Sequence, residues 1–159
     1  MMAPTTPYTS DLGDRDPLAA IPDTRDRVRA LTGGWERERF ERSYAPGKWS
    51  ARQILTHLAQ TELALGTRAR MALTTPAYVA QVFDQDGWIG RDSRLSGPDA
   101  VDAFVALARM NGLFFEGLSD ADRLTPFTHP EYGALTVDWI IHQMAGHQIH
   151  HLKQLEQIE

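Results

Sequence analysis

No cysteine occurs among the 159 residues, so the chain has no disulfide, no thiolate metal ligand and no thiol nucleophile of its own. Thiol chemistry, if there is any, has to use a thiol brought in from outside. Equally absent is a run of about 18 consecutive apolar residues, the length a membrane-spanning helix needs. The polar start from Met1 to Asp14, interrupted by Pro4 and Pro7, holds no apolar stretch of signal-peptide length. These absences predict a soluble, cytoplasmic protein with no membrane partner. A concentrated basic surface is missing too: 16 Lys and Arg are scattered among 21 Asp and Glu, for a net charge of -5. The densest basic run, Arg25, Arg27 and Arg29, reads as a solvated helix face. Nucleic acid is therefore not an expected partner, since binding its phosphates requires clustered cations.

What the chain does have is enough apolar content, 42%, to build one compact core. Residues 1–15 have the composition of a flexible N-terminal tail, which leaves 16–159 as a single domain. Ile21-Pro22-Asp23 predicts a helix entry with proline in the first turn, followed by Val28 and Leu31 on one face and stopped by Gly33-Gly34. Trp35 to Arg42 allows a short helical turn before Ala45-Pro46-Gly47 breaks the chain. Ser50 with Gln53 three residues on is a capping box. Ile54, Leu58, Thr61 and Leu65 then continue an inward stripe that carries a second helix to about Thr74.

From Thr75 to Gly97 periodicity is lost, and Pro76, Gly87, Gly90 and Gly97 predict a long loop of the kind that often carries function. Pro98 opens a third helix to about residue 117, with Val101, Phe104, Val105, Ala108 and Leu113 inward, and Ser119 to Asp122 punctuates its end. Leu124 to Leu135, with Pro126, Pro130 and Gly133, reads as loop. Thr136 can then cap a last helix running almost to Glu159. Four amphipathic helices without strand alternation predict an all-α four-helix bundle.

The last helix carries an anomaly. Its inward seam at spacings of three and four is Ile140, Met144, His147, His151, Leu155 and Ile158, so two core positions are histidine. A buried polar group without a partner costs on the order of 1–3 kcal/mol, and imidazoles four residues apart lie ~6 Å apart along the helix, where both can reach one ion. His57, on the flank of the second helix's stripe, offers a third nitrogen. Three neutral imidazoles suit zinc, nickel, copper or iron and leave positions open for water or substrate. The periodicity alone leaves two readings open: a metal centre, or histidines satisfied within a core or pocket.

The remaining histidines fit less well. His150 falls on the wet row with Gln143, Gly146, Gln154 and Gln157. His142 borders Asp138, and His129 sits in a loop beside Pro130. Gln60 and Thr61 read first as ordinary bundle contacts. Trp88, Arg91 and Arg94 read first as surface residues and second as a lid or a clamp for an anionic substrate.

Pro46-Gly47-Lys48-Trp49-Ser50, running into Gln53-Ile54-Leu55-Thr56-His57-Leu58-Ala59, resembles the second-helix signature of the DinB/YfiT-like family. Gly133-Ala134-Leu135-Thr136 followed by His147-Gln148-Ile149-His150-His151-Leu152 is similar to its closing segment, and the likeness extends over about Pro17 to Ile158. The resemblance implies a four-helix bundle with long crossover connections, a divalent metal, zinc or nickel first, held by His57, His147 and His151, and a homodimer. It also implies a small-molecule substrate. Some relatives are thiol-dependent transferases or isomerases using glutathione, mycothiol or bacillithiol, and others are called metal-dependent hydrolases.

Three functions follow as expectations. The first is an S-transferase or isomerase in which the metal activates an external low-molecular-weight thiol. The second is a hydrolase using metal-bound water; it calls for a carboxylate or histidine as proton shuttle, and Glu62, Asp84 and Asp86 are candidates only by nearness in sequence. The third is a non-catalytic metal- or ligand-binding bundle used in stress response.

Overall fold

The computed structural model describes residues 2–159. Four long helices dominate it: α2 (Pro17–Thr32), α4 (Ala51–Thr74), α6 (Gly97–Glu116) and α8 (Val137–Glu156). Between and before them lie α1 (Thr9–Leu12), α3 (Arg37–Phe40), α5 (Gln85–Arg91), α7 (Asp120–Arg123) and an antiparallel hairpin of β1 (Pro126–His129) and β2 (Gly133–Thr136). α2 and α4 each pack on both α6 and α8, so consecutive pairs α2/α4 and α6/α8 stand across the bundle's diagonals. Each diagonal step needs a long crossover, and residues 33–50 and 117–136 supply them. No helix among the described residues is long and apolar enough to cross a membrane.

The local signals that set the ends of α4 and α8 act as expected. Ser50 Oγ accepts from the Gln53 amide at 3.2 Å while Gln53 Oε1 accepts from the Ser50 amide at 2.9 Å. Thr136 Oγ1 accepts from the Trp139 amide. Elsewhere the expected boundaries are corrected. α2 begins at Pro17, with the Asp16 carboxylate capping the Ala19 amide, so Pro22 lies inside the helix and not at its entry. Burial of Ala20 and Ile21 outweighs the lost backbone bond. The predicted 75–97 loop contains α5, capped by the Asp84 carboxylate on the Gly87 amide. The predicted 124–135 loop is the hairpin, with Pro126 as the first residue of its strand, where a missing N–H is tolerated. Leu113, expected inward, is exposed.

Residues 6–12, which composition marks as tail, pack on α8. Leu12 and Thr6 are buried, Asp11 pairs with Lys153 at 2.9 Å, and the Thr5 carbonyl accepts from Trp139 Nε1.

The apolar interior falls into two clusters. One gathers Ile21, Leu65, Ala69, Phe115, Ile140 and Met144; the other gathers Val28, Ile54, Leu58, Phe104, Leu155 and Ile158. Where they meet, each long helix contributes a buried polar residue: Thr24, Glu62, Asn111 and Gln148. Asn111 Nδ2 donates to the Glu62 carboxylate at 2.7 Å, and Gln148 Nε2 donates to its other oxygen. This polar layer ties α4, α6 and α8 together beside His57 and His147.

Candidate metal centre and cleft

α4 and α8 bring His57, His147 and His151 together. His147 Nε2 lies 2.9 Å from His57 Nε2 and 3.0 Å from His151 Nε2, and all three rings are buried, at 2%, 4% and 5% exposure. The helical pitch brings residues 147 and 151 to one face, and the packing of α8 on α4 sets His57 opposite them.

Burial, aided by the charge that His151 would carry, pushes His57 down to about 3. His151 is pushed down to about 4 by burial, partly offset by Gln154. His147 is held well below its ordinary value, again first by burial and then by its histidine neighbours. All three are therefore neutral at pH 7 and can ligate without displacing a proton from nitrogen.

Their tautomers matter as much as their charge. His151 Nδ1 lies 2.7 Å from Gln154 Oε1; an amide oxygen only accepts, so the ring proton is on Nδ1 and the Nε2 lone pair faces the cluster. Nδ1 of His57 and of His147 is buried without a hydrogen-bond partner among the described residues, so the contacts present fix the tautomer of His151 alone. With the other two Nε2 atoms also unprotonated, a cation among the three would offset the repulsion of their lone pairs. A tetrahedral ion ~2.0–2.1 Å from each nitrogen spaces its ligands ~3.3 Å apart, a little beyond the two contacts of His147 at 2.9 and 3.0 Å and within the 4.8 Å that spans all three. The donor set fits a divalent ion.

Aromatic rings close the surroundings. Trp49 packs on His57 with centroids 4.9 Å apart and stacks on His151 at 6.4 Å, while its Nε1 donates to Asp86. Tyr8 meets His147 edge-on at 5.1 Å and also touches His150. His150, expected on the wet face, is thus partly covered by the N-terminal segment, whose Asp11 lies 3.5 Å from it. Gly146 makes this docking possible, because a Cβ there would stand 2.6 Å from the Tyr8 carbonyl oxygen. Gly146→Ala is expected to lift residues 6–12 from α8 at a cost of about 1–3 kcal/mol. Faster amide exchange confined to those residues would report it; unchanged exchange would mean that the backbone accommodates the methyl group.

A cleft of about 150 Å³ reaches His147 from outside, walled by Tyr8, Thr61, Arg68, Phe83, His129 and Gln143 among others. Its outer wall is built by the crossover after α4: Ala80 N donates to the Thr128 carbonyl at 2.8 Å and Thr128 N to the Tyr78 carbonyl at 3.1 Å, so residues 78–80 lie along β1. His129, expected at the surface, is 5% exposed and lines this cleft.

Several sequence candidates fall elsewhere. Gln60 donates to the Trp88 carbonyl and to Asp92, whereas Thr61 does line the cleft, with its Oγ1 donating back to the His57 carbonyl. Arg91 and Arg94 are exposed and line no part of the cleft, and Trp88 borders a separate outer hollow. His142 stays beside Asp138, 2.9 Å from its carbonyl. Of the three carboxylates, Glu62 is in the polar layer, Asp84 caps α5 and Asp86 holds Trp49. The residue that periodicity could have flagged is Arg68, which extends the α4 stripe through 57, 61, 65 and 68. Tyr8, Trp49 and His129 carry no such signal, because only tertiary packing brings them to the site.

Comparison with known proteins agrees with this architecture. YfiT from Bacillus subtilis, whose solved structure is described provisionally as a metal-dependent hydrolase with an unusual four-helix bundle topology, matches with a TM-score of 0.83. The match covers 99% of this chain and 90% of that one at 16% identity, a likeness of fold. A protein of Oceanobacillus iheyensis, provisionally named a metal-dependent hydrolase, is 29% identical over 119 residues, covering 74% of this chain and 69% of that protein. A second one so named from the same organism is 26% identical over 141 residues, covering 87% and 81%. The profile of the DinB superfamily matches residues 20–155, and with that span matched the chain belongs to the DinB superfamily.

Proposed function

We propose that the protein is a metal-dependent hydrolase of a small molecule, with a divalent ion held by His57, His147 and His151. The observation that carries this reading is the convergence of three buried, neutral Nε2 atoms at the inner end of a cleft open to solvent. The provisional names of the relatives point the same way. When bound, a divalent ion lowers the pKa of a coordinated water or thiol toward neutrality and polarises a substrate carbonyl.

The chain's own residues hold and shield the site. Gln154 orients the His151 ring through Nδ1, Trp49 covers the cluster on one side, and Tyr8 narrows the cleft at His147. A cleft of about 150 Å³ is small beside the ~300–1,000 Å³ of common ligand pockets, which favours a small substrate. Transfer from an external thiol ranks second, since the absence of cysteine is compatible with it but no contact in the cleft favours it.

The test is reconstitution with zinc or nickel, followed by a panel of small esters and amides with and without glutathione, mycothiol or bacillithiol. Turnover that persists without thiol is expected, and turnover only with thiol would replace hydrolysis by transfer. Stoichiometric metal with no turnover would favour a binding bundle; failure to take up metal would remove the metal reading itself. Sedimentation of the same samples tests the homodimer that the resemblance implies.

A further inference from the structure

Arg68 is 8% exposed and lines the cleft that ends at His147. One of its N–H groups donates to the Gln81 carbonyl at 2.6 Å, and its guanidinium carbon lies 5.8 Å from the centroid of the Phe83 ring. Among the described residues it joins no ion pair. Glu131 borders the same cleft, but it is exposed and acts on Arg68 only through space. A guanidinium has five N–H donors and stays charged at neutral pH. None of the Arg68 nitrogens is among the buried atoms left without a partner, so the open donors reach solvent at the cleft, where an anion can take the place of water.

His129 supplies a second donor to the same place. Its Nδ1 accepts from the backbone amides of Glu131 at 3.0 Å and Tyr132 at 3.2 Å. Burial first, and then the Arg68 charge, lower its proton affinity, so the ring is neutral at pH 7. With Nδ1 accepting twice, its one proton is on Nε2. The arrangement is one fixed cation and one fixed N–H donor on the wall of a cleft, with the imidazole cluster at its inner end.

We propose that the cleft seats a carboxylate of the substrate on Arg68 and the His129 Nε2–H, with the bond to be cleaved lying toward His147; this rests on the hydrolase reading above. Residue 68 is eleven residues beyond His57 on α4, a rise of ~16 Å, which the arginine side chain shortens by leaning toward the helix N-terminus. The carboxylate and the reacting group therefore stand at opposite ends of the substrate, as in a half-ester or half-amide of a short dicarboxylic acid. Arg91 and Arg94, the guanidinium groups that the sequence brought forward for an anionic clamp, are outside the cleft; Arg68 takes that role.

The probes are glutarate and inorganic phosphate, titrated calorimetrically into the full-length protein, wild type and variants, each checked for a native melt. Glutarate is expected to bind wild type and to bind Arg68→Gln roughly tenfold or more weakly. Arg68→Lys, which keeps the charge and guards against a misfolded glutamine variant, should restore part of the affinity. His129→Ala should weaken binding by a smaller factor, and wild-type protein stripped of metal by a chelator should still bind glutarate in an Arg68-dependent way. Survival in the metal-free protein separates this inference from the metal reading, because the anion site then stands whether or not metal or hydrolysis is found.

Equal binding by wild type and Arg68→Gln, no binding by wild type, or preference for phosphate would overturn the proposal. So would loss in Arg68→Gln with no effect of His129→Ala. That outcome would move the anion to the neighbouring outer hollow, which Arg68 also borders and His129 does not.

Discussion

Protein loaded with zinc or nickel is expected to melt roughly 8–16 °C above the metal-free form, and His147→Ala to lose that difference entirely. A ligand that binds only the folded state at about 1,000 times its dissociation constant adds about 4 kcal/mol. For a domain of this size each kcal/mol moves the melting temperature by roughly 2–4 °C. His147 is the decisive position because its Nε2 is the near neighbour of the Nε2 atoms of both other histidines, at 2.9 and 3.0 Å. Removing it leaves two imidazoles on opposite helices with the shared point gone. Alanine also opens a cavity and leaves polar neighbours unpaired, so the variant's own stability changes as well. The informative quantity is thus the metal-induced shift within each protein, read by thermal melts with and without added ion. An equal shift in wild type and variant would show that metal binds elsewhere and would sink the three-histidine assignment.

Acid is expected to weaken the metal-free protein by about 3–4 kcal/mol between pH 8 and pH 5, the balance of two opposed groups. The histidines work against the fold. Their folded values lie at about 3 for His57, at about 4 for His151 and well below normal for His147, against 6.5 in the unfolded chain. Below 6.5 the unfolded state takes up protons that the fold refuses, so stability present above that pH is lost as the pH falls. At pH 5 each imidazole accounts for about 2 kcal/mol, or about 6 for the cluster.

Glu62 acts in the opposite direction. Burial raises it from 4.5 to about 7, against the hydrogen bonds from Asn111 and Gln148 that pull it down. Between those pH values the fold holds a proton that the unfolded chain has released, so this contribution grows as pH falls and offsets about 2–3 kcal/mol. Glu62→Gln removes the offset and should steepen the acid loss toward about 6 kcal/mol. Urea unfolding of both proteins at pH 8, 6 and 5 measures the two slopes. Identical slopes would mean that Glu62 is ionised throughout and that its burial is compensated by its amide partners.

The stretches where sequence and structure agree are those whose outcome depends on neighbours along the chain. Ser50 with Gln53 caps α4, Thr136 caps α8, and the seam from Ile140 to Ile158 is buried at every position. A cap is a bond between residues three apart, and a seam follows from 3.6 residues per turn. The same local arithmetic marked His57, His147 and His151 as inward. Gly33-Gly34 does end α2 and Pro46-Gly47 does break the chain before α4, but composition misled in the two longer stretches where Gly and Pro stood for loop: Gly87 and Gly90 lie inside α5, and Pro126 opens β1. Both elements are short and are held by tertiary partners, among them the hydrogen bonds that Thr128 exchanges with Tyr78 and Ala80.

The sequence by itself therefore determined four amphipathic helices, the absence of cysteine and three imidazoles on inward faces. Only the tertiary structure decided that those imidazoles meet within hydrogen-bonding distance, that Tyr8 and Trp49 enclose them, and that Arg68 and His129 face the cleft without a carboxylate partner. The physical reason is separation along the chain: helical periodicity assigns a residue to a face, but His57 and His147 are 90 residues apart, and only the packing of one face on another brings such residues together.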